Sequence, residues 1–283
     1  MVTETLIAPS RRSGTRVALE RLWLRALPHV TRDYSWAAVG GFRMYGSAAH
    51  QRYLGRLGTG RVERFTVRLF REAIRPGMVV ADVGAYLGYF TLVAARELNG
   101  AGIVFSFECH PANHRFLLHN IRLNGLADRV VASSSAVAHE IGRLPFREQG
   151  GDLSTGSLRG ARDDQDALDV PATTLDQALG GRPLDVMKMD IEGGEVRAFD
   201  GMERTLAASP ALVLLVECNP SALRAAGASA AELLERLESA GFSVSQIDEK
   251  AKTLRPVGEK LRAGQGEDDR KFHLNLYCTR GAA

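Results

Sequence analysis

The run Met78-Val79-Val80-Ala81-Asp82-Val83 leads into a glycine turn, Gly84-Ala85-Tyr86-Leu87-Gly88, and then into a helical pattern to about Leu98. A short apolar run without polar alternation is what a strand buried on both faces requires, and such strands belong to parallel sheets. A tight turn from strand straight into helix then restricts the chain to right-handed crossover units. The same rhythm recurs. Ile103–Glu108 predicts a second strand, followed by a helix from Pro111 to Asn124-Gly125. Val130–Val137 predicts a third strand. Asp185–Asp190 predicts a fourth, with a helix to about Ala207, and Ala211–Glu217 a fifth, with a helix over Ala230–Ala240. Phe242–Ile247 and Phe272–Thr279 predict two last, antiparallel strands. The whole reads as an open, mostly parallel seven-stranded α/β sheet with helices on both faces.

Ahead of this pattern, Val17–Leu27 has the apolar spacing of an amphipathic helix stopped at Pro28. Gly40–Gly60 reads as a loop-bearing connector, and Val62–Ile74 as a helix ended by Arg75-Pro76-Gly77. Residues 1–60 are therefore expected to form an N-terminal helical extension, a substrate cover or an oligomer contact, and residues 61–283 the main domain, with inserts at 139–173 and 248–271. Charge divides along the same line. Residues 1–75 hold 14 Arg, no Lys and 5 acids, whereas the remaining 22 basic residues face 28 acids. No Lys/Arg run exceeds two residues and no aromatic ladder accompanies them, so nucleic-acid binding is disfavoured against a solvated basic face. No apolar stretch is long enough to span a membrane, and no secretory leader is legible. Cys109, Cys218 and Cys278 lack metal spacing and fit a reducing, cytoplasmic setting.

In open α/β sheets ligands bind outside the carboxyl ends of the strands. There the sequence places Asp82 and Gly84, then Glu108, Asp190 and Glu217. The turn is G-x-x-x-G and lacks the middle glycine of the dinucleotide fingerprint, which disfavours a nicotinamide cofactor. An acid directly before the turn repels pyrophosphate. Glu108 suits two ribose hydroxyls, each charge-assisted bond being worth about 1.5–3 kcal/mol. A ligand with a ribose and an ammonium but no phosphate is S-adenosylmethionine.

Four ordered segments resemble FkbM-family methyltransferases. They are Asp82-Val83-Gly84-Ala85-Tyr86-Leu87-Gly88-Tyr89-Phe90-Thr91; Phe107-Glu108-Cys109-His110-Pro111-Ala112-Asn113 with the later Asn120-Ile121-Arg122-Leu123-Asn124-Gly125; Thr174-Leu175-Asp176; and Lys188-Met189-Asp190-Ile191-Glu192-Gly193-Gly194-Glu195. The last departs from the family's K-I-D-V-E-G-A-E at Met189, Ile191 and Gly194. The resemblance covers about 62–247. It implies a class I (Rossmann-like) methyltransferase fold and O-methylation of a small-molecule hydroxyl, often on a specialised metabolite or sugar-containing natural product.

By residue type and resemblance, Asp82 and Gly84 would line the methionine-side pocket with Ala85 and Gly88 of the same turn, Tyr86 would pack over the cofactor, and Thr91 would tie the turn to its helix. Glu108 would hold the ribose, Cys109 would line the pocket, and Asn113 would either cap its helix or contact the adenosine. Ser135 and Ala136 would neighbour the adenine, and Asp190 would lie beside the sulfonium. A hydroxyl acceptor also needs its proton removed. Asp190, Glu217 and His139 are candidates for that step, with His273 behind them. Glu192 and Glu195 are expected to share a face at a helix start, for substrate contact or for the helix dipole. Asp190, Glu217 and Asn219 resemble the end-of-strand ligands of catechol-type methyltransferases, which would seat Mg²⁺. Methylation of RNA or protein, and a non-catalytic cofactor-binding role, stay open as alternatives, as does assembly into a homo-oligomer.

Overall fold

The computed structural model describes residues 34–60, 62–149, 152–158, 167–262 and 273–281. The helix expected over Val17–Leu27 lies outside them. Two strands precede the first predicted one: β1 (Tyr34–Val39) and β2 (Phe42–Ser47) form a hairpin turned by Gly40-Gly41. Both glycines have positive φ, the backbone that a two-residue hairpin turn demands. The glycine pair read as loop is thus a turn, and the expected connector is a hairpin followed by a helix at Gln51–Gly58.

The remaining strands are β3 (Val79–Val83), β4 (Ile103–Phe107), β5 (Val130–Ser133), β6 (Ala136–Val137), β7 (Gly142–Gln149), β8 (Asp152–Leu158), β9 (Leu168–Thr173), β10 (Val186–Met189), β11 (Val213–Cys218), β12 (Ser243–Asp248), β13 (Thr253–Pro256) and β14 (Leu274–Thr279). The main sheet runs β13-β12-β14-β11-β10-β3-β4-β5. β11, β10, β3, β4 and β5 are mutually parallel, and β14, β12 and β13 join antiparallel. The seven expected strands are present as neighbours, and β13, from the 248–271 insert, adds an eighth, exposed at the edge. The predicted third strand divides: β5 stays in the main sheet, while β6 leaves it for a small sheet ordered β6-β9-β7-β8. The 139–173 insert supplies β7, β8 and β9 of that sheet.

Alternation along the strands builds two cores. Ala81, Val83, Phe105, Met187, Met189 and Leu214 face one side, against the helix at Ala230–Ser239. Val80, Val104, Val186 and Leu215 face the other, against helices at Arg64–Ala73, Tyr89–Glu97 and Pro111–Leu123. Period-two projection from strands buried on both faces produces this division. The chain runs outward from β3 to β4 and β5, then returns to β10 and β11 on the opposite side. The carboxyl ends of β3 and β10 therefore meet at the topological switch point.

The hairpin is fixed to this body by two asparagines one helical turn apart. Asn120 Oδ1 accepts from Tyr45 N (2.8 Å), and its Nδ2 donates to Tyr45 O (3.0 Å) and Leu87 O (2.9 Å). Asn124 Oδ1 accepts from Arg43 N (3.0 Å), and its Nδ2 donates to Arg43 O (2.8 Å). Side-chain amides spaced i, i+4 thus satisfy two edge residues of β2 as a neighbouring strand would.

Candidate active site

A cleft of about 250 Å³ opens at the switch point. Gly84 stands at its centre with φ +85°, and a Cβ there would lie 1.8 Å from the Asp190 carbonyl oxygen. The glycine is required because the turn after β3 and the end of β10 touch backbone to backbone. Gly84 N and Ala85 N both donate to Phe107 O, at 3.0 and 2.9 Å, which pins the turn between the strands.

At one end, Glu108 follows β4 and is 8% exposed. Its Oε2 accepts from Tyr86 N (2.8 Å) and its Oε1 from His110 N (2.9 Å). A carboxylate has acceptor capacity beyond these bonds, and Glu108 lines the cleft. Burial pushes this carboxyl up to about 7, against the opposing pull of those backbone donors and of the Asn113 amide. Cys109, Asn113, Ser135, Ala136 and Phe146 complete this end. Burial also holds the Cys109 thiol well above its ordinary range, which disfavours its thiolate.

Asp82, on the floor, is 2% exposed, and burial raises it to about 6 while Thr91 and Lys188 pull the other way. The Thr91 hydroxyl donates to Asp82 Oδ2 and lies 2.7 Å from Ser106 Oγ. Thr91 therefore orients a cleft residue from behind. Gly88 is also behind the wall: it starts the Tyr89–Glu97 helix, and a Cβ on it would lie 2.6 Å from Leu117 Cδ1. Its glycine serves helix packing and not ligand approach.

The other end is crowded with carboxylates. Asp190, Glu192 and Glu217 each present an oxygen within 4.8 Å of the other two. Lys188 is 1% exposed, and its Nζ lies 3.0 Å from Asp190 Oδ2 and 5.3 Å from the Phe90 ring centroid. Burial opposes charge on both members of the pair, but the attraction outweighs it. Asp190 is held below the ordinary carboxylate range, and Lys188 above the ordinary lysine range with further help from Glu63 and Glu217. Burial, with Asp190 adding repulsion, raises Glu192 to about 8 and Glu217 well above its usual value. Glu217 Oε2 is buried without a hydrogen-bond partner, an acceptor facing a site that supplies it no donor.

Of the residues expected from sequence, Asp82, Gly84, Ala85, Tyr86, Glu108, Cys109, Asn113, Ser135, Ala136, Asp190 and Glu217 line this cleft, as does His273. His139 does not. Departure of β6 from the main sheet carries it to the surface, where its side chain is 42% exposed with Glu140 3.7 Å away. Asn219 is also displaced from the expected ligand set. Its Oδ1 accepts from Ala222 N and Ser221 Oγ, capping the helix at Pro220–Ala225, and its Nδ2 donates to Glu192 Oε2 (3.2 Å). Glu192 takes its place beside the other two carboxylates. It has left-handed backbone (φ 50°) ahead of the helix, so it does not share a helical face with Glu195. Glu195 Oε1 instead accepts from Ile191 N (3.1 Å), closing the turn between β10 and its helix.

Lys188, Glu63 and Tyr53 were not legible as site residues. For Lys188 a signal existed: a lysine inside a wholly buried strand must find a counter-charge. Glu63 and Tyr53 lie in stretches whose pattern predicts only a connector and a helix.

The profile of the Methyltransferase FkbM domain matches residues 82–244. No curated protein matches the chain. Among solved structures, the chain is similar to a methyltransferase FkbM from Methylobacillus flagellatus KT, with 15% identity and a TM-score of 0.47 over 75% of this chain and 50% of that one. It is similar to M. jannaschii TYW2 in complex with AdoMet, with 14% identity and a TM-score of 0.47 over 89% and 88%. A SAM-dependent O-methyltransferase from Thermotoga maritima shares 13% identity, with a TM-score of 0.44 over 88% and 78%.

Proposed function

The chain belongs to the FkbM methyltransferase family and is an S-adenosylmethionine-dependent methyltransferase, and from that premise we propose that it methylates a hydroxyl of a small molecule, of the specialised-metabolite or sugar-containing kind. The observation that carries this reading is the carboxylate group Asp190, Glu192 and Glu217 beside the switch point, with an unpartnered oxygen on Glu217. The cofactor, when bound, supplies an electrophilic methyl on a sulfonium. Glu108 holds its ribose, Asp82 faces its methionine end, and Ser135 and Ala136 flank its adenine. Asp190, the ionised member of the group, receives the acceptor hydroxyl's proton and Glu217 orients that hydroxyl; such a transfer requires a reach of about 2.6–3.2 Å. Alignment of the in-line displacement supplies much of the rate.

The same three carboxylates would hold a divalent cation such as Mg²⁺. It would supply an oxygen-binding charge that orients an acceptor hydroxyl and lowers its pKa. Tyr53 and Arg56 line the cleft from the helix after the hairpin, which supports a part for that helix in covering the acceptor. An RNA acceptor, which the Arg-rich leader invites, is disfavoured by this end of the cleft. Lys188 there is already paired with Asp190 and offers a phosphate backbone no free charge. None of the described helices is long and apolar enough to cross a membrane, and free Cys109, Cys218 and Cys278 accord with action in the cytoplasm.

The test is transfer of isotope-labelled methyl to a panel of polyols, glycosides, amines, RNA and protein. Base-stable ether products that disappear in Asp190→Asn support the reading. Labelled amine, RNA or protein would replace it.

A further inference from the structure

Residues ahead of the family-matched segment take part in the cofactor end of the cleft through one buried histidine. His50 is wholly buried in the short turn after β2. Its Nδ1 accepts from Ser47 N (2.9 Å) and lies 2.8 Å from Ser47 Oγ. A backbone N–H can only donate, so this nitrogen carries no proton and the ring's proton resides on Nε2. Nε2 is 3.0 Å from Asn113 Oδ1 and therefore donates to it. That bond decides which way the Asn113 amide points: its oxygen faces His50, and its NH₂ serves the Glu108 carboxylate. A flipped amide would set NH₂ against the Nε2 proton and withdraw the donor from Glu108. Tyr86 and Phe116 pack on the imidazole with centroids 5.3 and 5.2 Å away, which holds the ring plane. Gly46 leaves the room needed, since a Cβ there would lie 2.7 Å from His50 Cβ.

We propose that His50 is a positioning residue for the methyl donor: the relay Ser47–His50–Asn113–Glu108 aims the ribose anchor from a turn outside the family-matched segment. The inference rests on the cofactor reading above and gives the N-terminal segment a part in it. With the relay intact, Glu108 is held by three donors and turns its remaining lone pairs to the ribose hydroxyls. Without it, the carboxylate keeps its two backbone bonds but loses the third, which fixes its tilt.

The experiment is calorimetric titration of the full chain with S-adenosylhomocysteine and with its 2′-deoxy analogue. It compares wild type, His50→Phe, which keeps a packed ring without hydrogen bonds, and His50→Gln, which can restore a donor at the Nε2 position. Wild type should prefer the ribose form by tenfold or more. His50→Phe should lose about tenfold for that form and much less for the analogue, and His50→Gln should regain part of the preference. A merely structural histidine weakens both ligands equally, and that result overturns the proposal. If His50→Phe does not fold, Asn113→Asp carries the same comparison, because it removes the donor to Glu108 at constant shape. An unchanged ribose preference there also overturns it. Failure of wild type to bind either ligand would instead sink the cofactor reading, so the two failures are distinguishable.

Discussion

Replacing Glu108 by Gln keeps the size of the side chain and removes its charge. In the native site the two carboxylate oxygens already accept from Tyr86 N and His110 N. Gln must turn its NH₂ toward one of those donors, so it retains a single acceptor, now uncharged, for the two ribose hydroxyls. Losing one charge-assisted bond and weakening the other costs about 2–4 kcal/mol, or about 30- to 1,000-fold in affinity. The wild-type site adds a second signature. Burial raises Glu108 to about 7, and only the ionised carboxylate accepts from both hydroxyls. Affinity therefore rises with pH, by about tenfold from pH 6 to a plateau above pH 8, with Asp82 contributing at the acid end. Isothermal titration with S-adenosylhomocysteine at pH 6, 7 and 8 reads both effects. A Glu108→Gln affinity within threefold of wild type, or a wild-type affinity that does not change with pH, would refute the reasoning.

The raised carboxyls also set the stability of the ligand-free protein. Asp82, Glu108, Glu195 and Glu192 bind protons more tightly folded than unfolded, with values of about 6, 7, 7 and 8. Stability is therefore lost as pH rises from the ordinary carboxylate range through 6 to 8, and thermal melts should show Tm lower at pH 8 than at pH 6. A flat or rising Tm would contradict that. Gly84→Ala sets a methyl into the Asp190 carbonyl at positive φ; no soluble folded protein is expected, and a near-native melt would disprove the close approach. Lys188→Met leaves Asp190 without its counter-charge. Because the Asp190 side chain is one-third exposed, the cost should stay below the ~3–5 kcal/mol of a fully buried pair and should shrink at pH 6 in denaturant titrations. Mn²⁺ as a spin probe should bind wild type and bind Glu192→Gln at least tenfold more weakly, by loss of its free-ion signal, while His139→Ala, exposed and off the cleft, changes it little; equal binding to all three would reject the carboxylate trio as the seat.

The parallel strands were legible because burial on both faces writes itself as an uninterrupted apolar run, and Val186–Met189 interrupts its run only with Lys188. The acids at strand ends were legible for a related reason: a carboxylate directly after such a run has no apolar role. What was missed depended on contacts remote in sequence. Nothing near Gly40-Gly41 shows that Asn120 and Asn124 will hold the hairpin beside it. The exit of β6 from the main sheet depends on pairing with β9, over 30 positions later, and that exit removed His139 from the site. Asn219 carried the right chemistry for a ligand, but a Pro220 helix directly after it made capping the nearer use.

Backbone strain shows how the two ends of the cleft are built. Among the described residues five non-glycine positions have positive φ, and three of them, Glu63, Tyr86 and Glu192, line the cleft. Each such conformation costs of order 1–3 kcal/mol and persists only where neighbours over-determine it. Tyr86 is held by its bond to Glu108, within the family-matched segment. Glu192 is held by Asn219, also within it. Glu63 is different: Asn275 Nδ2 donates to its Oε1 (2.6 Å), and Glu249 accepts from Phe65 N and Thr66 N at the start of the helix that follows. All of those residues lie outside 82–244, as do Tyr53, Arg56 and His273 on the same cleft. Flanking segments thus add a strained carboxylate to the end of the cleft where Asp190, Glu192 and Glu217 stand, while the family-matched segment supplies those three as well as the Glu108 end, with His50 behind it.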